Sequence, residues 1–337
     1  MTIPFIRPVR IDDFEDVFEL AGQAGGGMTN LPADEKALRA RIEHATKSFA
    51  AGATEPGPEV YLMVLELDGR AMGTTGVFSS IGLDSGFVNY KVNFTFHASE
   101  LLNKRIRRST LIPTHDFTGS SEVGSLFLSK DARGGGYGKF LAKARYLFIA
   151  QSPDIIADPV CAELRGWRSK DGKQPFWEAL GRHFFDMDFE EADVHNAANG
   201  NQFIADLLPR YPIYTCLLPE DARDCIGRPH DSAQPAMKML KDEGFEYENY
   251  VDIFDAGPLV EARKQDIRTI GESRVVELAN VDDVKNGKEF LIAAGAVESF
   301  RCTRGICHVE GNAITVEQGV SEALKASTGD PLRIVEW

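Results

Sequence analysis

No apolar run in this sequence reaches the roughly 20 residues that a membrane span needs. Nor does "MTIPFIRPVRIDDFEDVFELA" carry a basic leader, an apolar block and a cleavage site. Cysteine is scarce: 5 in 337 residues, an odd number without C-x-x-C spacing. "CTRGIC", with His308 behind it, lacks the ligand cluster of a metal site. Ordinary thiols in a reducing cytoplasm are expected, and no metal. Positive charge is short as well: 37 Lys and Arg face 51 Asp and Glu, a net charge of −14. That argues against nucleic acid and anionic membranes as partners, because both call for a basic surface. One small anion held in a local basic pocket stays compatible with it. Hydrophobic residues are plentiful, at 43% of the chain. They suffice for a sizeable core in one large or two moderate domains.

"IRPVRIDDFEDVFELAGQAGGG" reads as a strand and then a helix. Asp12 or Asp13 would cap that helix, with Phe14, Val17, Phe18 and Ala21 as its apolar face and Gly25, Gly26 and Gly27 as its stop. A second helix enters through Pro32 and Asp34. "VYLMVLELDGRAMGTTGVFSS" reads as a hairpin turning at Asp68-Gly69. "FVNYKVNFTFHAS" is a strand, "NKRIRRST" a basic solvated loop, and "EVGSLFLS" a buried strand. From Gly138 a helix follows, with Phe140, Leu141, Ala144, Leu147 and Phe148 at helical spacing. "DPVCAELRG" is the next short strand. "QPFWEALGRHFFDMDFEEAD" and "QPAMKMLKDEGFEYENYVDIFDAG" echo each other. Each reads as a Gln-Pro helix, a glycine and an aromatic-rich strand, which hints at a duplicated unit. Beyond 258 the chain turns strand-like, residues 261–290 resist assignment, and "EALKASTGDPLRIVEW" closes as a short helix and a strand.

The stretch "SKDARGGGYGKFLAKARYLFIA" crowds glycine at the mouth of a helix. Bare backbone there suits an anion. A G-x-x-x-x-G-K-[ST] phosphate loop fails, because Arg133 stands at the first glycine and Phe140 at the hydroxyl position. A G-x-G-x-x-G dinucleotide turn starts well at Gly134 and Gly136 but meets Lys139 at its third position. The remaining pattern is Arg-x-x-Gly-x-Gly: Arg133, Gly136 and Gly138. Backbone amides in that turn would face a pyrophosphate, with Arg133 and Lys139 adding charge. A merely glycine-rich loop is the bland alternative.

This pattern resembles the acyl-CoA loop of the GCN5-related N-acyltransferases, and the element order agrees. Longer stretches are similar to the arginine N-succinyltransferase family: "VNYKV", "HASELLN", "HDFTGSSEVGSLFLS", "AELRG", "PFWEALGRHFFDMDFEEAD", "FIADLLPRYPIYTCLLP" and "ENYVDIFDAGP". The resemblance is dense from residue 3 to about 260 and thins beyond. It implies an α+β fold, with a mixed central sheet flanked by helices and two acyltransferase-like domains in tandem. These would be residues 1–195, with the acyl-CoA loop, and 196–337. It implies succinyl transfer from succinyl-CoA to the α-amine of L-arginine, with succinyl-CoA as co-substrate. Ornithine or another amine as acceptor, or a non-catalytic acyl-CoA-binding module, are the alternatives. A homo-oligomer and a heteromer with a paralogous subunit are both open.

The resemblance also distributes roles. The family's "IGxxHP" segment is "IGRPHD" here, which puts the proton donor at His230; by itself, that histidine reads as a loop residue. Asp231 stands where the family has proline. A family CoA contact falls at Leu126. The family's "LSNDHTG" is "IPTHDFTG" here, so Phe117 replaces a histidine and His115 precedes it by two places. Acyl transfer needs a neutral amine, an oxyanion donor and a proton for the thiolate. Glu122 is the candidate base, or else a structural carboxylate. A backbone amide of Leu126, Phe127 or Leu128 would meet the oxyanion. Arg133, Gly134, Gly136, Gly138 and Lys139 would hold the pyrophosphate. The succinyl carboxylate wants a cation, Lys91 or one within 104–108. The guanidinium wants a carboxylate, Glu163 or Asp116, either of which could instead be a structural ion pair.

Overall fold

A computed structural model describes residues 3–24, 28, 30–169, 172–192, 195 and 202–337. Gly25, Gly26 and Gly27, read as a helix stop, lie outside the described residues. In chain order the first strands are β1 (Phe5–Pro8), β2 (Val60–Leu67), β3 (Arg70–Phe78), β4 (Asn89–Ser99) and β5 (Lys104–Thr114). Next come β6 (Ser121–Leu128), β7 (Val160–Glu163), β8 (Ile213–Tyr214), β9 (Glu246–Val251) and β10 (Pro258–Ala262). The last are β11 (Arg274–Val281), β12 (Lys288–Ala294), β13 (Arg301–Glu310), β14 (Ala313–Val316) and β15 (Pro331–Glu336). The longer helices are α1 (Phe14–Ala24), α2 (Glu35–Ala50), α3 (Tyr137–Gln151), α4 (Gln234–Asp242) and α5 (Gln318–Leu324).

Local signals set many of these ends. Asp34 caps α2 by accepting the Ala37 amide at 2.8 Å. Asp68 and Gly69 take φ of 50° and 80°, the paired positive values of a two-residue hairpin turn. At α1 the expectation is corrected: Asp13 sits inside the helical start and reaches back to the Arg10 amide (2.7 Å) while pairing with Arg7. Phe18, expected on the buried face, is exposed and stacks on Phe14 at 5.7 Å.

Two compact units emerge, and they differ from a single cut after residue 195. The first comprises Met1–Ser80, Val123–Asp158 and Arg263–Trp337; the second comprises Ile81–Glu122 and Pro159–Ala262. The C-terminal segment joins the first unit because β13 pairs antiparallel with β1. In that unit β1, β2 and β3 run as an antiparallel set. Alternation along β2 sends Leu62 and Val64 toward the core of α1 and α2. Tyr61, between them, meets Phe148 of α3 at 5.0 Å. The last five strands close on themselves: β12–β15, β15–β11, β11–β14, β14–β13 and β13–β12. Closure removes free edges, and Val276, Leu278, Ile292, Ile314 and Ile334 fill the inside.

In the second unit β4 and β5 pair along their whole length, from Asn89↔Thr114 to Ser99↔Lys104. "NKRIRRST" is therefore mostly strand, not loop. The ladder satisfies its backbone while its cations stay at the surface. β9 joins β4 and β10, and β10 joins β7. The core is aromatic: Trp177 is fully buried, stacked on Phe185 (5.3 Å) and Phe254 (5.5 Å). The proposed internal echo fails here. "HFFDMDFEEAD" was expected to be a strand, yet Trp177–Gly181 and Arg182–Phe185 form helical turns, and only the second segment yields a strand, β9. Phe185 and Phe189 both pack on Trp177, from helical turns on either side of a break at Asp186, which takes φ of 51°.

Candidate active site

Inside β6, Ser125 takes φ of 50°, a left-handed value rare for a non-glycine residue. Thr74 Oγ1 donates to its carbonyl (2.7 Å), and its own Oγ donates to the Asn30 carbonyl (3.0 Å). A kink of this kind takes backbone groups out of the ladder and re-aims them. Leu126, Phe127 and Leu128, all half-buried, follow directly. The single turn Lys130–Ala132 then leads to Arg133, Gly134, Gly135 and Gly136, all exposed.

Gly134 and Gly136 have φ of 104° and 75°, conformations that side-chain-bearing residues rarely adopt. The first bond of α3 runs from the Phe140 amide to the Gly136 carbonyl at 3.0 Å. The amides of the turn before Phe140 sit at the positive end of the helix dipole. Gly138 is informative for another reason. A Cβ built there meets nothing within 4 Å. No neighbouring protein atom requires its bareness. A pyrophosphate fits that cradle.

Two residues beside the loop escaped sequence reasoning. Arg304 Nη2 donates to the Gly135 carbonyl at 3.3 Å, and its Nε pairs with Glu289 at 3.0 Å. Trp337 lies 4.9 Å from the Arg304 guanidinium and 4.2 Å from the Lys139 ammonium. Both belong to the stretch where the resemblance thins. No local pattern marks a residue whose partner is 169 positions away.

The other candidates lie in the second unit. Glu122 is buried and stands opposite Cys161 in the parallel β6–β7 pair. The exit of β7 bridges Gly166 to Pro229, and the His230 amide donates to the Arg165 carbonyl at 2.8 Å. Glu122 and His230 thus both attach to the segment 161–165. His230 Nδ1 accepts the Ser232 amide (3.2 Å) and lies 2.7 Å from Ser232 Oγ. With Nδ1 so occupied, the neutral ring carries its proton on Nε2. Burial, followed by the charges of Arg165 and Arg168, holds the His230 pKa below its ordinary value.

Beside β7 lies a group of acids. Asp252 accepts the Phe254 and Asp255 amides, and Asp255 accepts those of Gly166 and Gly257. Both serve the turn that carries them, and Asp255 also ties it to the exit of β7. Glu163 is different: among the described residues its hydrogen bond comes from Asn89 Nδ2 at 2.8 Å. Burial, then the charges of Asp252 and Glu122, push its pKa well up. Such a carboxyl favours an incoming cation. Asp116 is already engaged, accepting the Tyr250 hydroxyl at 2.7 Å. Lys91 is engaged too, donating to the Glu248 carbonyl (2.6 Å) and lying over the Tyr250 ring. Among the described residues, no group of His, Cys, Asp and Glu is arranged to hold a metal ion, and no helix is long and apolar enough to cross a membrane.

A glycine-rich helix mouth that follows a kinked strand is the arrangement expected of an acyltransferase. The comparisons narrow the class. Residues 4–269 match the arginine N-succinyltransferase beta subunit, and residues 273–336 match the C-terminal domain of that subunit. The chain belongs to the arginine N-succinyltransferase family. It is 42% identical to the arginine N-succinyltransferase subunit beta of Pseudomonas aeruginosa, covering 98% of this chain and 97% of that one. It is 39% identical to the arginine N-succinyltransferase of Yersinia pestis, again over 98% and 97%. The solved arginine/ornithine succinyltransferase subunit AI from Pseudomonas aeruginosa superposes with a TM-score of 0.89 at 33% identity, over 100% of this chain and 99% of that one. The likeness therefore continues past residue 260 to the end of the chain.

Proposed function

We propose that this chain transfers the succinyl group of succinyl-CoA to the α-amine of L-arginine. The observation that carries the reading is the glycine-rich mouth of α3, with Gly134 and Gly136 at positive φ, in a chain that belongs to this family over nearly its whole length. In this reading the cradle, with Arg133 and Lys139, grips the pyrophosphate, and a backbone amide of Leu126, Phe127 or Leu128 meets the developing oxyanion. Glu122 takes a proton from the ammonium, and the amine attacks the thioester carbonyl carbon. The C–N bond forms, the C–S bond breaks, the nitrogen gives up its second proton to water, and the thiolate takes a proton from the imidazolium form of His230, which returns to the neutral ring. Glu163 pairs with the guanidinium, which relieves its own uncompensated burial.

Ornithine is the second acceptor to consider, because the solved relative is named for both amines. The subunit names of the relatives support assembly, with a second copy or with a paralogue. Free thiol is followed while succinyl-CoA or acetyl-CoA is mixed with arginine, ornithine or no amine. Succinyl-CoA with arginine is expected to be fastest, and release indifferent to any amine would overturn the reading. His230→Ala should lower kcat by about 100-fold or more with little change in CoA affinity; an unchanged kcat removes His230 from the reaction.

A further inference from the structure

The first unit holds a second basic feature, which includes no residue of the glycine loop. A cavity of about 640 Å³ opens among the end of β1, the end of α2 and the loops around β12, β13 and α5. That size suits a small molecule. Phe49 and Phe300 supply apolar wall, and Arg7, Arg10, Arg301 and Lys325 supply charge. Four cations around one cavity are out of character for a chain of net charge −14.

Strand register explains the crowding. β1 and β13 pair through Phe5↔Thr303 and Ile6↔Cys302, which brings Arg7 close enough to work against the charge of Arg301. Like charges on neighbouring strands are unfavourable. Arg7 is neutralised by Asp13 (2.7 and 2.8 Å) and Glu66 (2.6 Å). Arg301 is not. Its Nη1 donates to the Ala323 carbonyl at 2.8 Å, and its guanidinium lies 4.6 Å from the Phe5 ring centre. It is held in position without a direct ion pair to a carboxylate. Burial, then Arg10, works against its charge, and Glu66, already paired with Arg7, favours it. Lys325 ends α5 in a left-handed backbone, φ 53°, where glycine would sit without strain. Among the described residues, no carboxylate forms an ion pair with Arg10, Arg301 or Lys325. Of the two acids in the lining, Glu298 and Asp330, the latter already accepts the Ser327 amide.

We propose that this cavity binds a small dicarboxylate. Guanidinium forks match carboxylates in pairs, and the apolar wall suits a short carbon spine between two charged ends. Inorganic phosphate shares the charge but has no spine to use that wall. The proposal stands apart from the acyl-transfer reading.

Isothermal titration of the full chain with malonate, and separately with inorganic phosphate, tests it. Malonate should bind at one saturable site and more tightly than phosphate. Arg301→Gln and Lys325→Gln should each weaken malonate by about tenfold or more, while melting temperature and succinyl transfer stay as in the parent. Arg133→Gln should leave malonate binding unchanged. Absence of saturable binding, undiminished binding in both cavity variants, loss in Arg133→Gln, or tighter binding of phosphate would each overturn the proposal. Should Arg301→Gln melt early, Lys325→Gln alone decides, since Lys325 is exposed and its removal leaves no buried group unpaired.

Discussion

His230 illustrates how neighbours fix the chemistry of one side chain. Ser232 occupies Nδ1, and the backbone of Arg165 ties down the main chain. Burial, Arg165 and Arg168 all disfavour the imidazolium. The folded pKa is depressed, so the unfolded chain takes up the proton first as pH falls below about 6.5. This histidine's contribution to stability is therefore intact above that value and lost as pH drops toward the folded pKa. An NMR titration of the His230 ring should give a midpoint below the ordinary histidine value of about 6.5, and Arg165→Gln should raise it. A midpoint unmoved by that substitution would remove Arg165 as a cause. The sequence pointed to His230 only through the "IGRPHD" segment. Nothing local shows that Ser232 selects its tautomer. Glu163 is similar: its letter was noticed, but its burial beside Asn89 and Asp252 came only with the packed strands.

The glycine loop and α3 work as one element. Three of its features were readable beforehand: the Arg-x-x-Gly-x-Gly pattern, the helical spacing after it, and the strand before it. The positive φ at Gly134 and Gly136 and the open space at Gly138 make different demands. Gly136→Ala is strained in the folded protein itself and also meets Arg304 Nη1 at 2.9 Å. Gly138→Ala meets nothing within 4 Å and has no left-handed backbone to strain. Gly138→Ala should therefore keep the parent melting temperature while raising KM for acyl-CoA, whereas Gly136→Ala should lower both stability and affinity. Differential scanning calorimetry and initial rates separate the two. An unchanged KM in Gly138→Ala would mean that no ligand approaches there. Where patterning misled, at 183–192, the aromatics suit a strand by type, but Phe185 and Phe189 pack on the buried Trp177 from helical turns on either side of Asp186.

Across the whole chain, the division into two units follows strand pairing between distant segments and not chain order. β13 completes the edge of β1, and Phe300 packs on Phe148 of α3 at 5.2 Å. A chain ending at residue 270 would lose both. Removing a buried aromatic partner alone costs about 3–5 kcal/mol, a large share of ordinary domain stability. Such a truncation should lose its cooperative thermal transition by circular dichroism. A sharp transition near the parent temperature would show that the first unit does not depend on its C-terminal strands.

Local rules were enough to read the turn at Asp68-Gly69, the cap at Asp34, the apolar faces of the long helices and the anion-binding look of the glycine loop. Each of these depends on residues within one or two turns of one another. The packed fold alone decided that Arg304 holds the loop, that Arg301 lies near Arg7 beside a cavity, and that residues 261–337 belong with the N-terminal strands. Those facts depend on burial and register between segments far apart in the chain, which only closure of the sheet brings together.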